Sequence, residues 1–372
     1  MKPYDAAVIG GSVAGPALAM ELARAGRSVI LFEKEKEAHD KVCGEFISHE
    51  GVRYLHDLGV SLEGLGAVTI RHVRLARHAG AVTSDLPFEA QSLSRRVLDE
   101  TLLQLASEAG TEIKRGIRVK DMEKDGDAWA VNVEGADAVT AKQVFLATGK
   151  HDLKDWKRTR GPHPECLAFK AYWRLNPEQA ADLAGHVELI LFPGGYAGLQ
   201  EVEGGRANLC LIVRKDAYTT RYGSWESLLD AMQGHCPHLK GRLGGAVCLM
   251  DKPLAISGLP YGHVAWESGG VWRLGDQAAA IPSFSGDGMS IALHSARRAA
   301  RMYLKGESSE IYQQSLARQL SAQIHRATII SRLLVSETGQ GLAMTSAGIF
   351  PYVLPVSAGL TRIPSRALGE RG

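Results

Sequence analysis

The chain has almost no excess of either charge: 43 Lys and Arg stand against 41 Asp and Glu, a formal net charge of +2. There is no basic tail and no long run of one sign, so nucleic acid is not expected as a partner. Cysteine is sparse. Cys43, Cys166, Cys210, Cys236 and Cys248 form no C-x-x-C pair. An odd count without that spacing argues against a disulfide framework or a structural zinc, and for a reducing, cytoplasmic setting. The 13 histidines show no paired spacing and no H-E-x-x-H, so no metal site is expected. Signal-peptide organisation is missing too, because Met1-Lys2-Pro3-Tyr4-Asp5 leads straight into a strand. Internal repeats and low-complexity tracts are absent. What remains is an ordinary globular composition, 45% hydrophobic and 23% charged over 372 residues. Such a length suggests two domains, or one large domain with insertions.

Charge is also missing locally. No charged residue lies between Gly339 and Thr361, a segment rich in Leu, Ile, Val, Phe and Tyr. Its length approaches a membrane span, but Pro351, Pro355 and several glycines interrupt it. A terminal segment packed on the protein is expected; peripheral membrane contact and a wall for an apolar substrate are the alternatives.

Residues 4–9 read as a short buried strand, 10–15 as a glycine-rich turn, 16–25 as a helix ended by Gly26, and 28–33 as a β-branched, apolar strand. A helix over 95–108 follows, stopped by Gly110. Short strands are expected around 112–119, 128–133 and 143–147, with a hairpin turn at Asp125-Gly126-Asp127. The middle of the chain reads as an antiparallel sheet: strands at 168–175, 187–192, 195–202 and 206–213, with Gly204-Gly205 at a hairpin and a helix over 225–233. A strand at 270–274 and helices over 287–304 and 311–334 close the pattern.

Gly10-Gly11-Ser12-Val13-Ala14-Gly15 carries the first chemical signal. In a dinucleotide-binding turn Gly10 makes the tight bend and Gly15 permits close helix–strand packing. Ser12 stands where a third glycine is usual, and a small residue there still lets backbone approach a pyrophosphate. The helix starting near Val13 and Ala14 would aim its N–H groups at the phosphates. Glu33 ends the second strand, where a carboxylate accepts from a ribose hydroxyl.

A second motif lies at Gly275-Asp276-Gln277-Ala278-Ala279-Ala280-Ile281-Pro282, continuing to Gly286-Asp287-Gly288-Met289-Ser290. Together the two motifs resemble the flavoproteins of the para-hydroxybenzoate hydroxylase fold, which include aromatic monooxygenases, flavin-dependent halogenases and geranylgeranyl reductases. The resemblance covers most of residues 1–305 and is strongest at 6–33 and 270–293. It implies an α/β protein: a discontinuous Rossmann-like FAD-binding domain (1–66, 91–159 and 256–305), an antiparallel β-sheet substrate domain (67–90 and 160–255) and a C-terminal helical segment (306–372).

The resemblance implies FAD, with NAD(P)H as reductant. Asp276 would accept from the ribityl chain. The helix start at Gly286, Gly288 and Met289 would face the flavin edge, where unpaired N–H groups stabilise the reduced ring's negative charge. Arg95 matches an Arg that reaches the cofactor phosphates or ribose, although Arg96 keeps the choice open. Lys34, beside Glu33, and Val119 complete the expected cofactor set. Lys41-Val42-Cys43-Gly44-Glu45-Phe46 resembles the Cys-Gly segment beside the flavin in geranylgeranyl reductases. Cys43 and Gly44 are therefore expected near the ring, and Cys43 or Glu45 as a proton relay.

Two departures matter. The Asp-Gly segment usual in the hydroxylases is replaced by Ala147-Thr148-Gly149-Lys150-His151-Asp152. The halogenase Trp-x-Trp-x-Ile-Pro signature is absent; its nearest text is Tyr172-Trp173-Arg174. The leading expectation is an NAD(P)H-dependent flavin monooxygenase hydroxylating an apolar small molecule, aromatic or polyketide-like. The alternatives are a geranylgeranyl reductase-like enzyme that saturates a carbon–carbon double bond, and a flavin-binding protein without catalysis.

Overall fold

The computed structural model describes residues 3–159, 161–364 and 367. The last few residues of the expected C-terminal segment lie outside this set. Tyr4–Ile9 pairs in parallel with Val29–Glu33 on one side and Val139–Leu146 on the other. Glu112–Arg115 extends the sheet in parallel beyond Val29–Glu33. Ala6–Ile9 and Val29–Phe32 are unbroken, buried apolar runs, as central strands covered on both faces require. Ala14–Arg24 packs on the sheet and stops before Gly26, whose φ of +75° ends the helix.

The hairpin turn at Gly126 is present and joins Val119–Asp125 to Ala128–Val133. The strand expected around 112–119 is two strands. Gly116, at φ +71°, turns the chain between them beneath Lys36. The strand expected at 270–274 shrinks to Trp272–Arg273, because Gly269 and Gly270 hold left-handed φ values of +65° and +87°. It adds in parallel to Val139–Leu146.

Cys166–Arg174, Arg206–Arg214, Gly195–Val202 and His186–Phe192 form consecutive antiparallel pairs in a second sheet. This sheet is not antiparallel throughout. His186–Phe192 pairs in parallel with Val68–Arg77, which forms an unanticipated hairpin with Gly80–Ser92. A bulge between Ile70 and His72 interrupts the hairpin's register.

The long helix begins at Gly288 and runs to Leu304, with Asp287 at its N-cap position. Ser309–Leu334 follows. The uncharged segment folds into two short helices, Glu337–Ile349 and Val353–Leu360. Pro351 lies between them, and Pro355 sits in the first turn of the second, where its missing N–H costs little. Among the described residues no helix is long and apolar enough to cross a membrane. The inner faces of these helices, through Ala343, Met344, Ala347 and Leu354, pack in one apolar cluster with Ala168, Ile212 and Tyr261 of the body.

Candidate cofactor and substrate cavity

Both sheets line a cavity of about 880 Å³. Every residue expected at the cofactor lies on it except Gly11 and Gly15, which pack behind it. A Cβ on Gly15 would sit 1.9 Å from the Gly10 carbonyl oxygen, and one on Gly10 would sit 2.4 Å from that of Ala147. The turn therefore closes only with glycine at both positions. Gly11 N–H donates to Glu33 Oε2 at 2.7 Å, and Glu35 N–H donates to Glu33 Oε1 at 2.9 Å. These two bonds fix the carboxylate at the strand end, with Lys34 and Val119 on the same cavity wall.

Arg95 meets Ser12 at the start of the first helix. Its guanidinium contacts the Ser12 hydroxyl and donates to both Asp99 oxygens at 3.0 Å. Lys41 reaches Asp99 as well, at 2.8 Å. Burial pulls Arg95 down, but Asp99 and the Cys43 sulfur beside it outweigh burial and hold it above its ordinary range. Burial likewise pushes Asp99 up, and Arg95 and Lys41 bring it below the usual carboxylate range. A fixed positive charge thus stands at the open N-terminus of a helix, an arrangement suited to a pyrophosphate.

Farther along, Gly275 (φ +53°) and Asp276 follow the Trp272–Arg273 strand, and Asp276 lines the cavity. Arg158 donates to its backbone carbonyl at 2.8 Å. The Gly288–Leu304 helix starts on the cavity with no side-chain cap, and a Cβ on Gly288 would meet nothing within 4 Å. Open N–H groups and open space coincide there. The residues present therefore fit FAD: Glu33 and Val119 could meet its adenosine, Ser12 and Arg95 its phosphates, Asp276 its ribityl chain, and the Gly288 helix start its ring.

Cys43 and Gly44 line the same cavity, whose wall also includes the apolar Ala168, Ile212, Leu254, Ile256 and Tyr261. Asn208 donates to the Cys43 and Gly44 carbonyls at 3.0 Å each, and Lys150 to the Val42 carbonyl at 2.8 Å. Glu45, in a left-handed conformation (φ +63°), is completely buried. Its carboxylate accepts from Lys170 Nζ (2.5 Å), Tyr172 Oη (2.8 Å), Asn208 Nδ2 (3.0 Å) and Arg95 N (2.8 Å). Burial pushes the carboxyl up, opposed chiefly by Lys170. The carboxylate expected as a proton relay is thus engaged in holding the loop to the second sheet. Sequence reasoning missed Lys170, Tyr172 and Asn208. Their signal is strand alternation: Ala168, Lys170 and Tyr172 share one face of Cys166–Arg174, so a lysine falls at an inward position.

Residues 3–145 match the family model described as FAD binding domain. The chain is 24% identical over 375 residues to a menaquinone reductase of Mycobacterium tuberculosis, covering 96% of this chain and 87% of that one. It is 28% identical over 195 residues to a probable electron transfer flavoprotein-quinone oxidoreductase, YdiS, of Escherichia coli, covering 48% of this chain and 45% of that one. In structure it resembles the flavin-dependent brominase Bmp2 with a TM-score of 0.80 at 17% identity, covering 97% and 94% of the two chains.

Proposed function

We propose that this chain is an FAD-dependent reductase of an apolar, quinone-like or isoprenoid substrate, saturating a carbon–carbon double bond at the expense of NAD(P)H. The observation that carries the reading is the apolar lining of the cavity, whose Ala168, Ile212 and Tyr261 share one cluster with the inner faces of the uncharged C-terminal helices. An end-to-end likeness to a menaquinone reductase supports it. When bound, FAD supplies the two-electron chemistry.

The chain's own residues do the rest. Arg95, fixed by Asp99, holds anionic phosphate. The uncapped Gly288 helix start stabilises negative charge on its side of the cavity. Ile256, Leu254 and Tyr261 exclude water from the substrate. The Cys43 thiol, on the cavity wall, would give the proton that saturation of a double bond consumes.

A second reading, hydroxylation, is favoured by the likeness in fold to a flavin-dependent brominase and by the same apolar wall, which would keep water from the reacting centre. Oxygen separates the two. With NAD(P)H and a menaquinone or an isoprenoid alkene, anaerobic formation of saturated product supports the reductase. Product formed only with oxygen, and carrying label from ¹⁸O₂, refutes it in favour of hydroxylation.

A further inference from the structure

The outer face of the C-terminal helices is apolar and bare. Ile349, Phe350, Tyr352, Val356 and Leu360 are all about half exposed or more, and the last three are spaced four apart along one row. Arg326 is exposed on the Ser309–Leu334 helix and donates to the Leu360 carbonyl at 2.9 Å. No acidic residue lies between Thr338 and Thr361. Apolar side chains beside an exposed arginine, on a segment that carries no acidic residue of its own, fit the interface of an anionic bilayer.

The same segment reaches the cavity from behind. Two residues after the Val353–Leu360 helix, Arg362 turns inward, nearly buried. Its guanidinium contacts the Ser285 carbonyl and reaches Asp287 Oδ1 at 3.3 Å. Gln323 bridges the two parts: it donates to Asp287 and, at 2.7 Å, to the Thr361 carbonyl. Ser48 bonds both Asp287 (3.1 Å) and the buried Glu50 (2.7 Å), so two buried carboxylates meet in this cluster, with Arg362 against Asp287 and His49 against Glu50 (3.3 Å). Burial, reinforced by Glu50, pushes Asp287 up to about 6 even with Arg362 in place. Asp287 is the N-cap residue of the helix whose open end faces the cavity.

We infer that these helices dock on an anionic lipid surface and that Arg362 transmits the docking to the Ser285–Met289 loop, so that a bilayer tightens the cofactor site. Holding the Val353–Leu360 helix against lipid holds Thr361 and Arg362, and with them the loop that frames the cavity. The inference stands whether the substrate is reduced or hydroxylated.

The test uses FAD-loaded protein, phosphatidylcholine vesicles with and without phosphatidylglycerol, and two readouts: cosedimentation and the rate of FAD release by flavin fluorescence. The anionic vesicles are expected to sediment the protein and slow FAD release at least about fivefold, the lower range of allosteric coupling. V356E and L360E lose both effects. R362Q still sediments but releases FAD at a rate indifferent to vesicles, and R362K recovers part of the response. Wild-type protein that stays in the supernatant overturns the docking, as does a patch that instead drives lipid-independent self-association. Sedimentation with unchanged FAD release overturns the transmission.

Discussion

Lys170 and Glu45 are both completely buried and 2.5 Å apart, one on the second sheet and the other on the loop that carries Cys43. Replacing Lys170 with Met keeps the stem and removes the ammonium, leaving a buried carboxylate without its cation. Breaking such a pair from one side costs about 3–5 kcal/mol. Glu45 retains Tyr172, Asn208 and the Arg95 N–H, so the low end applies, about 3 kcal/mol. A chain of 372 residues has an unfolding entropy of about 0.8 kcal/mol/K, so the midpoint should fall by about 4 °C. The loss must also depend on pH. Burial already raises Glu45, and without Lys170, the largest opposing influence, it rises further. A carboxyl raised in the folded state contributes stability that is complete below its unfolded value and is lost as pH rises through the folded one. The deficit of Lys170→Met should therefore be larger at pH 8 than at pH 5, and Lys170→Met/Glu45→Gln should regain part of it. Thermal unfolding by circular dichroism reads all three proteins. A Lys170→Met midpoint within a degree of wild type at pH 8, or a deficit that does not grow with pH, refutes the clamp.

Asp276→Ala removes the carboxylate expected on the ribityl chain. FAD content after gel filtration should fall while the circular dichroism spectrum stays unchanged. Cys43→Ser should slow anaerobic substrate reduction by ~10²–10⁴ if the thiol gives the proton, with flavin reduction by NAD(P)H much less affected. Equal stopped-flow rates in both half-reactions would leave Cys43 as wall only. Asp287 is raised to about 6, so its contribution to stability is full below its ordinary value of 3.8 and drains away as pH rises through about 6. Asp287→Asn should flatten the melting temperature between pH 4 and 7, and an unaltered slope would assign that dependence elsewhere.

The dinucleotide turn was legible because every part of it is local. Gly10, Gly15 and Glu33 lie within one strand–helix–strand unit, and the glycines are demanded by backbone atoms a few ångströms away. Hairpins closed by Gly126 and Gly204-Gly205 were legible for the same reason. The Val68–Arg77 and Gly80–Ser92 hairpin was not, since its bulge breaks the alternation and Pro87 interrupts the second strand where pairing lapses. The Glu45 clamp was hidden differently. Its partners Lys170, Tyr172 and Asn208 are more than a hundred residues away, and nothing around Glu45 marks it as completely buried. Arg362, which reaches back across 75 residues to Asp287, was equally invisible.

The clamp also bears on how the apolar lining of the cavity can exclude water. A lysine on the inward face of the Cys166–Arg174 strand, two residues from Ala168 on the wall, would hold water if left unpaired. Water there would weaken the field of the Gly288 helix start and compete with an apolar substrate. Glu45 neutralises that lysine without solvent, and Tyr172 and Asn208 fill its remaining acceptor positions. The carboxylate therefore lets a polar domain junction sit beside an apolar binding wall. Because Glu45 follows Cys43-Gly44 directly, the bond that dries the wall also fixes the thiol at its edge. Disturbing Lys170 should consequently appear in the rate of Cys43 alkylation as well as in the melting temperature. A variant that melts early with Cys43 reactivity unchanged would show that the clamp serves stability alone.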